Sequence, residues 1–112
     1  MHVTRFDAAP EYVAANHFDM RCVRLQGKEG GPSVSLTMAC SIIEPGGYIP
    51  LSPSPLEKLY LVVEGEVTLS NGEDAYVLQR LDSLCVAPGE SREVRNASNK
   101  QAMIVLVMPV RP

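Results

Sequence analysis

The side chains best suited to chemistry in this sequence are two cations and two nearby hydroxyls. Lys58 and Arg92 lie in segments rich in strand-forming residues, and Ser52 and Ser54 precede Lys58 in a proline-rich stretch. A guanidinium group binds carboxylate or phosphate through paired hydrogen bonds, whereas an ammonium group supplies a point charge. If these four side chains face one cavity, they predict a binding site for a small anionic molecule, either a carboxylate or a phosphate.

A lysine held close to an arginine is also suited to proton transfer. Burial and the neighbouring positive charge both lower the pKa of a lysine, so Lys58 would act as an acid or base or form an imine. Tyr60 shares a strand face with Lys58 and is expected to present its hydroxyl to the same cavity. His17, one of two histidines, is a third catalytic candidate, although a lone histidine is more often a surface or core residue.

The strand around Lys58 can be oriented in two ways. Alternation places Lys58 and Tyr60 on one face and an apolar set on the other, namely Leu59, Leu61 and Val63. Periodicity makes the apolar set the core and sends Lys58 to solvent, where it would pair with an acid such as Glu57 or Glu90. In the opposite orientation Lys58 lies inside, and a packed sheet or another subunit must cover the apolar set.

Short strands and frequent turns indicate an all-β protein of antiparallel strands with little or no helix. Three prolines between residues 50 and 55 exclude a helix there, and Asn71-Gly72 favours a tight hairpin turn. A second turn is expected at Pro45-Gly46-Gly47, and the glycine-rich stretch 26–32 is a loop because no helical pattern follows it. The strands are predicted at residues 18–25, 34–43, 59–63, 66–70, 75–79 and 102–108.

The strand at residues 34–43 alternates between an apolar and a polar face. Met38 and Cys40 lie on its apolar face, and we include both among the ligand-binding candidates. Cys40 is also one of three cysteines, with Cys22 and Cys85. Their odd number and wide spacing match no zinc pattern, so we expect reduced and buried thiols.

Two stretches resemble the conserved motifs of the cupin superfamily. The segment from Glu44 to Leu69 resembles the first motif, in which a glycine is followed by two histidines, an acid and a second glycine. Gly47 and Gly65 match the two glycines. Residues 81–96 resemble the second motif at three positions, which are Asp82, Gly89 and Asn96. The resemblance implies a cupin-type jelly-roll β-barrel in one domain, residues 1–112, with an N-terminal segment and edge strand at 1–33 and the barrel at 34–108.

The positions that hold a metal in most cupins carry other residues in this sequence. In the register of the resemblance, the first two histidines fall on Ser52 and Ser54, the acid on Lys58 and the last histidine on Arg92. None of these is a usual ligand for a transition metal, so we expect neither a metal nor another cofactor. The same register turns Lys58 and Tyr60 toward the lumen, and we favour it over the periodicity. The N-terminal segment of cupins commonly lies along the barrel, which would bring His17 to the pocket mouth.

Composition restricts the partners of the protein. The 112 residues carry a net charge of -3, which provides no basic field for nucleic acid. No apolar run reaches the ~20 residues of a membrane helix, and the N-terminus lacks a signal-peptide pattern. We therefore expect a cytoplasmic protein without a membrane or nucleic-acid partner. Two strands are apolar on both faces, which predicts a homodimer.

These features leave three kinds of function open. The first is a metal-independent cupin that binds a small anionic metabolite and transforms it as an isomerase, dehydratase or lyase, with Lys58 as acid or base and Arg92 as anion clamp. The second is a non-catalytic binding or sensing module, and the third is a structural partner subunit. An enzyme requires a second titrating group beside Lys58, a binding module requires only the cavity, and a partner subunit predicts a filled barrel.

Overall fold

The computed structural model describes residues 1–110 as nine antiparallel strands and two short 3-10 helices. The strands are β1 (Glu11–Tyr12), β2 (Phe18–Gln26), β3 (Leu36–Pro53), β4 (Lys58–Glu64), β5 (Val67–Ser70), β6 (Ala75–Leu78), β7 (Ser83–Val86), β8 (Ser91–Arg95) and β9 (Ala102–Pro109). The 3-10 helices span Phe6–Ala8 and Lys28–Gly30. The predicted all-β class is confirmed. Residues 111 and 112, the end of the predicted domain, lie outside the described part.

The strands form a nearly closed barrel with one open seam. They follow the order β6-β5-β8-β3-β9-β4-β7, with β2 paired to β3 and β1 paired to β2. The β6 and β7 strands end this order, so the seam lies between them. In the described residues no helix has the length and apolar character that crossing a membrane requires.

The 18-residue β3 lies at the centre of the strand order and joins the two halves of the barrel. One half contains β9, β4 and β7, and the other contains β8, β5 and β6. Its residues 36–43 pair with β9, whereas its residues 48–53 pair with β8. The sequence predicted a strand that ends at Ile43 and a turn at Pro45-Gly46-Gly47, but the strand continues through this point. Gly46, with a φ of 84°, marks a bend between the two paired parts of β3. The prediction was wrong because neighbouring strands supply hydrogen bonds on both sides of this bend.

Asn96 holds this bend of β3 in place. Its backbone amide donates to the Gly47 carbonyl at 2.9 Å, and its own carbonyl accepts from the Gly46 amide at 2.8 Å. Its fully buried side chain donates to the Ile43 carbonyl at 2.9 Å. Gly47 is required at the bend because a Cβ atom there would lie 2.6 Å from the Asp19 carbonyl oxygen.

The orientation of β4 follows the register of the cupin resemblance. Lys58, Tyr60 and Val62 point into the barrel and are buried, whereas Leu59 is 48% exposed on the outside. The interpretation from periodicity, which sent Lys58 to solvent, was therefore wrong. An apolar stripe on a strand identifies a covered face, but it does not distinguish the barrel interior from an outer contact surface.

An apolar surface covers the outer face of β3, β9 and β4. Met38 lies directly opposite Val107, and Val107 lies opposite Leu59, so these three side chains form one row. Leu59 and Met38 are exposed and Val107 is half-buried. We call these three residues, with their neighbour Val105, the outer apolar surface.

We propose that a second copy of the chain covers the outer apolar surface. Leu59→Glu is then expected to convert a dimer into a monomer, because a buried unpaired carboxylate would cost several kcal/mol at the interface. Light scattering at micromolar concentration gives the mass directly. Val77→Glu is the matched control, since Val77 is exposed on β6 outside this surface. A monomeric wild type, or a Leu59→Glu protein that remains dimeric, would contradict the proposal.

Candidate functional site

The barrel lumen contains a cavity of about 380 Å³, which we call the lumen cavity. The structure brings together five predicted site residues around it, namely His17, Ser54, Lys58, Tyr60 and Arg92. Lys58 and Tyr60 come from β4, Arg92 from β8 and His17 from the segment that precedes β2. The two halves of the barrel therefore supply opposite walls of one site.

Arg92 crosses the lumen and is held by residues of both walls. Its Nε donates to the Tyr60 hydroxyl at 3.0 Å, and its Nη1 donates to the Ser52 hydroxyl at 3.4 Å and to the Pro50 carbonyl at 3.5 Å. Ser52 is exposed and reaches the site only through this bond. Among residues 1–110 nothing accepts a hydrogen bond from Nη2, so this part of the guanidinium remains available to a ligand.

Lys58 is a buried amine without an anionic partner in the described chain. The residue is 8% exposed, and none of the ion pairs among residues 1–110 involves it. Burial, followed by the charge of Arg92, lowers the pKa of Lys58 to about 8. The alternative in which Lys58 pairs with Glu57 or Glu90 at the surface is wrong, because the strand turns its side chain inward.

Tyr60 and His17 complete the set of groups that can exchange protons. Burial raises the pKa of Tyr60, although Arg92 opposes the shift, so the phenol keeps its proton. Burial lowers the pKa of His17, and the charges of Arg92 and Lys58 act in the same direction, although the hydrogen bond to the Ala15 carbonyl opposes the shift. The Nδ1–H of His17 donates a hydrogen bond to the Ala15 carbonyl at 2.8 Å. In the neutral ring Nε2 is then unprotonated and can act as a base.

The backbone around His17 is unusual and fixes its position. Asn16 has a φ of 58° and Asp19 a φ of 53°, both in the left-handed region. Asn and Asp adopt this conformation more readily than other residues with a side chain. Asn16 lies in the connection between β1 and β2, which carries His17 to the cavity, whereas Asp19 lies within β2 where its register with β3 shifts.

Met38 and Cys40 do not line the lumen cavity, which corrects our prediction of two ligand-binding residues. Cys40 packs against Val23 in a second apolar cluster, and burial raises its pKa to about 11. Met38 lies on the outer apolar surface. The opposite, polar face of β3 lines the cavity through Thr37 and Ser41. The outer side of this strand is covered at Cys40, which is 2% exposed, but open at Met38, which is 37% exposed.

Three residues at the cavity that sequence reasoning missed are Tyr12, Arg24 and Lys28. The Nε of Arg24 donates to the Glu29 carboxylate at 2.6 Å, and its guanidinium lies 3.9 Å from the centroid of the Tyr12 ring. In the sequence, the apolar residues of 18–25 alternate only as far as Cys22. This break was the one signal that Arg24 could face the cavity. The expectation of three buried cysteines holds for Cys22 and Cys40, whereas Cys85 is exposed.

The donor set of the site does not fit the metal that cupins commonly hold. Ser52, Ser54, Lys58 and Arg92 offer hydroxyls and cations, and a bound cation would be repelled by Lys58 and Arg92. Within residues 1–110 no group of three or more His, Cys, Asp or Glu side chains is close enough to hold a metal ion.

Comparisons with known proteins agree on the fold. The model of the Cupin domain family matches residues 40–108. A beta-D-galactosidase of Mycobacterium tuberculosis is 34% identical over 108 residues, which cover 96% of this chain and 93% of the relative. The polyketide cyclase RemF of Streptomyces resistomycificus superposes with a TM-score of 0.88 at 12% identity, over 99% of this chain and 80% of that one. A sugar phosphate isomerase of the cupin superfamily from Silicibacter pomeroyi superposes with a TM-score of 0.81 at 18% identity, over 97% of this chain and 76% of that one. The predicted cupin-type jelly roll is confirmed, while these two structural likenesses concern the fold alone.

The donor set predicts that the purified protein binds no stoichiometric transition metal. Elemental analysis of protein prepared without a metal-binding tag and then dialysed measures this directly. Protein incubated with excess zinc before dialysis is the control for loss of a weakly held ion. Iron, zinc, nickel or manganese near one equivalent per chain after dialysis would contradict the prediction.

The lowered pKa of Lys58 predicts a specific dependence of stability on pH. Below about pH 8 the folded state carries a buried ammonium, so Lys58→Met is expected to stabilise the fold by about 1 to 3 kcal/mol. Between about pH 8 and 10.5 the folded protein loses this proton while the unfolded chain keeps it, so the advantage of Lys58→Met shrinks. Urea unfolding from pH 7 to 10 measures the difference.

Lys100→Met is the control for that series, because Lys100 is exposed and its substitution removes the same charge from solvent. Its effect on the free energy of unfolding is expected to be small and to change little with pH. If the difference between wild type and Lys58→Met is independent of pH, the buried ammonium is disproved.

Proposed function

This chain belongs to the cupin family, and from that premise we propose that its lumen cavity binds a small anionic metabolite without a metal and transforms it by proton transfer. One observation carries the proposal: Lys58 and Arg92 are each 8% exposed, and neither has a carboxylate partner among residues 1–110. An uncompensated buried charge costs several kcal/mol, and a bound anion would offset that cost.

Arg92 would act as the anion clamp. Its Nε and Nη1 are already engaged by Tyr60 and Ser52, which fix the plane of the guanidinium. A ligand carboxylate or phosphate would accept from the remaining Nη2 and from the Lys58 ammonium. The Ser54 hydroxyl and the Tyr60 O–H also line the cavity and would donate to the other oxygens of the ligand.

The protonation states near neutral pH suit an acid and a base in one site. The lowered pKa of His17 leaves its Nε2 unprotonated, while Lys58, with a pKa of about 8, remains mostly an ammonium. His17 would remove a proton from a carbon next to a carboxylate or carbonyl. Lys58 and Arg92 would stabilise the negative charge that moves to the oxygen. Isomerases, dehydratases and lyases share this step, which is why we place the activity in these classes.

Glycoside hydrolysis is a second candidate, supported by the galactosidase relative and by the hydroxyls of Thr37, Ser41 and Ser54 in the cavity. Glycosidases commonly use two carboxyl groups roughly 5 to 9.5 Å apart. Among the described residues no Asp or Glu lines the lumen cavity. If the ligand is a sugar, we therefore favour an anionic one, such as a sugar acid or a sugar phosphate, over a neutral galactoside.

Two non-catalytic alternatives remain open to measurement. A binding or sensing module would hold the same anion without turnover, and it would not depend on His17. A structural partner subunit is the weaker alternative, because a filled barrel was its expected signature and the lumen holds a cavity of about 380 Å³.

The proposal predicts that carboxylates and phosphates raise the melting temperature, whereas neutral amides do not. Arg92→Ala is expected to weaken anion binding by about 10- to 150-fold, which corresponds to the loss of one charge-assisted contact of about 1.5 to 3 kcal/mol. Lys58→Met should weaken binding as well and should abolish any turnover. Thermal-shift and calorimetric titrations with malonate, pyruvate and phosphate measure these effects.

Arg95→Ala is the matched control, since Arg95 lies on the same strand with an exposed side chain. It is expected to bind as wild type does. Equal thermal shifts in wild type, Arg92→Ala and Lys58→Met would overturn the anion site. In the same assay a preference for galacturonate over galactose supports the anionic sugar, and the reverse preference supports the neutral glycoside.

A further inference from the structure

A second cavity of about 340 Å³ lies at the open seam of the barrel, between β6 and β7. We call it the seam cavity. Its apolar lining comes from both edge strands and from β5, through Leu69, Tyr76, Leu78, Leu84 and Val86. We propose that the seam cavity binds an apolar, preferably aromatic, substituent of the ligand whose anionic group sits on Arg92. This inference rests on the proposed function and adds the substrate class: an anion that carries an aryl or alkyl group.

Arg92 is the residue that joins the two cavities, because it lines both. The adjacent strands also bring their linings together. Lys58 of the lumen cavity lies directly opposite Val86 of the seam cavity, and Tyr60 lies opposite Leu84. The Cα atoms of directly opposed residues in an antiparallel pair are about 4.5 to 5.5 Å apart. A ligand held by Arg92 can therefore extend a short distance and contact the seam lining.

The seam cavity has the size and surface for an aromatic ring. An apolar protein cavity of roughly 150 Å³ is large enough to bind benzene. Leu69, Leu78 and Val86 are packed into the core and form a rigid base of the cavity, while the half-buried Leu84 presents accessible apolar surface beside them. Tyr76 is 51% exposed at the mouth, where its ring is free to stack on a planar substituent.

The charge at the rim of the seam cavity favours a neutral occupant. Glu90 lines the cavity and is held in place, since it accepts hydrogen bonds from the Ala87 amide at 3.0 Å and from the Asn71 side chain at 3.3 Å. A second anionic group beside this carboxylate would be repelled. The ligand is thereby oriented, with its charge toward Arg92 and its apolar end toward the seam.

The test compares propionate with 3-phenylpropionate, which carry the same carboxylate and differ by the ring. Calorimetry on the wild type is expected to give about tenfold tighter binding for 3-phenylpropionate, with a more negative heat-capacity change. Tyr76→Ala should reduce this advantage to about threefold or less and leave propionate unchanged. Val77→Ala is the control, because Val77 is the next residue of β6, is 58% exposed and does not line the cavity.

The outcomes separate this inference from the proposed function. If Arg92→Ala weakens propionate but the two acids bind equally to the wild type, the anion site stands and the seam inference is overturned. An advantage of 3-phenylpropionate that survives Tyr76→Ala in full also overturns it. If 3-phenylpropionate binds through Tyr76 but independently of Arg92, then the ligand does not span the two cavities and the seam inference is overturned, while the response of propionate to Arg92→Ala still decides the anion site.

Discussion

The bend in β3 is the constraint on which the site depends. A straight strand would lie in one half of the barrel, whereas the bent strand pairs with β9 before the bend and with β8 after it. Asn96 fixes this bend, and the hydrogen-bonding capacity of its buried side chain is used in full: Nδ2 donates to the carbonyls of Ile43 and Lys100, and Oδ1 accepts from the amide and hydroxyl of Ser98. A buried amide that is fully satisfied specifies one backbone path, because any other path leaves it unpaired.

The bend determines which side chains meet in the lumen. Ser52 lies directly opposite Arg92 in the register of β3 and β8, so the strand after the bend holds the guanidinium from one side. Tyr60, on β4, holds it from the other side. The surrounding core is apolar and excludes water: Val62 and Ile104, for example, are essentially inaccessible to solvent. The site thus places two cations where hydration is weak, and the apolar core supplies the stability that tolerates their burial.

Six of the nine strands in residues 1–110 were predicted from the sequence, but the side of each strand that faces the lumen was not. Alternation and turn signals located the strands near residues 18–25 and 102–108, because these patterns are local. Inside and outside are decided by other strands, and both faces of β4 carry apolar side chains. The cupin resemblance resolved β4 through the position of Lys58, whereas β3 had no such marker for Met38 and Cys40. The seam cavity was beyond sequence reasoning because it arises where β6 and β7, which are consecutive strands, fail to pair.

The same burial that makes the cations costly also separates the roles of the acid and the base. In water an ordinary histidine titrates below an ordinary lysine by about four pH units. In the site both pKa values fall, that of Lys58 to about 8 and that of His17 below its usual value, so the order is kept. Between these two values Lys58 carries a proton and His17 does not, and this range includes neutral pH. An anion beside Lys58 favours its charged form further. Ligand binding therefore strengthens Lys58 as the electrostatic partner, while Nε2 of His17 remains the group with an available lone pair.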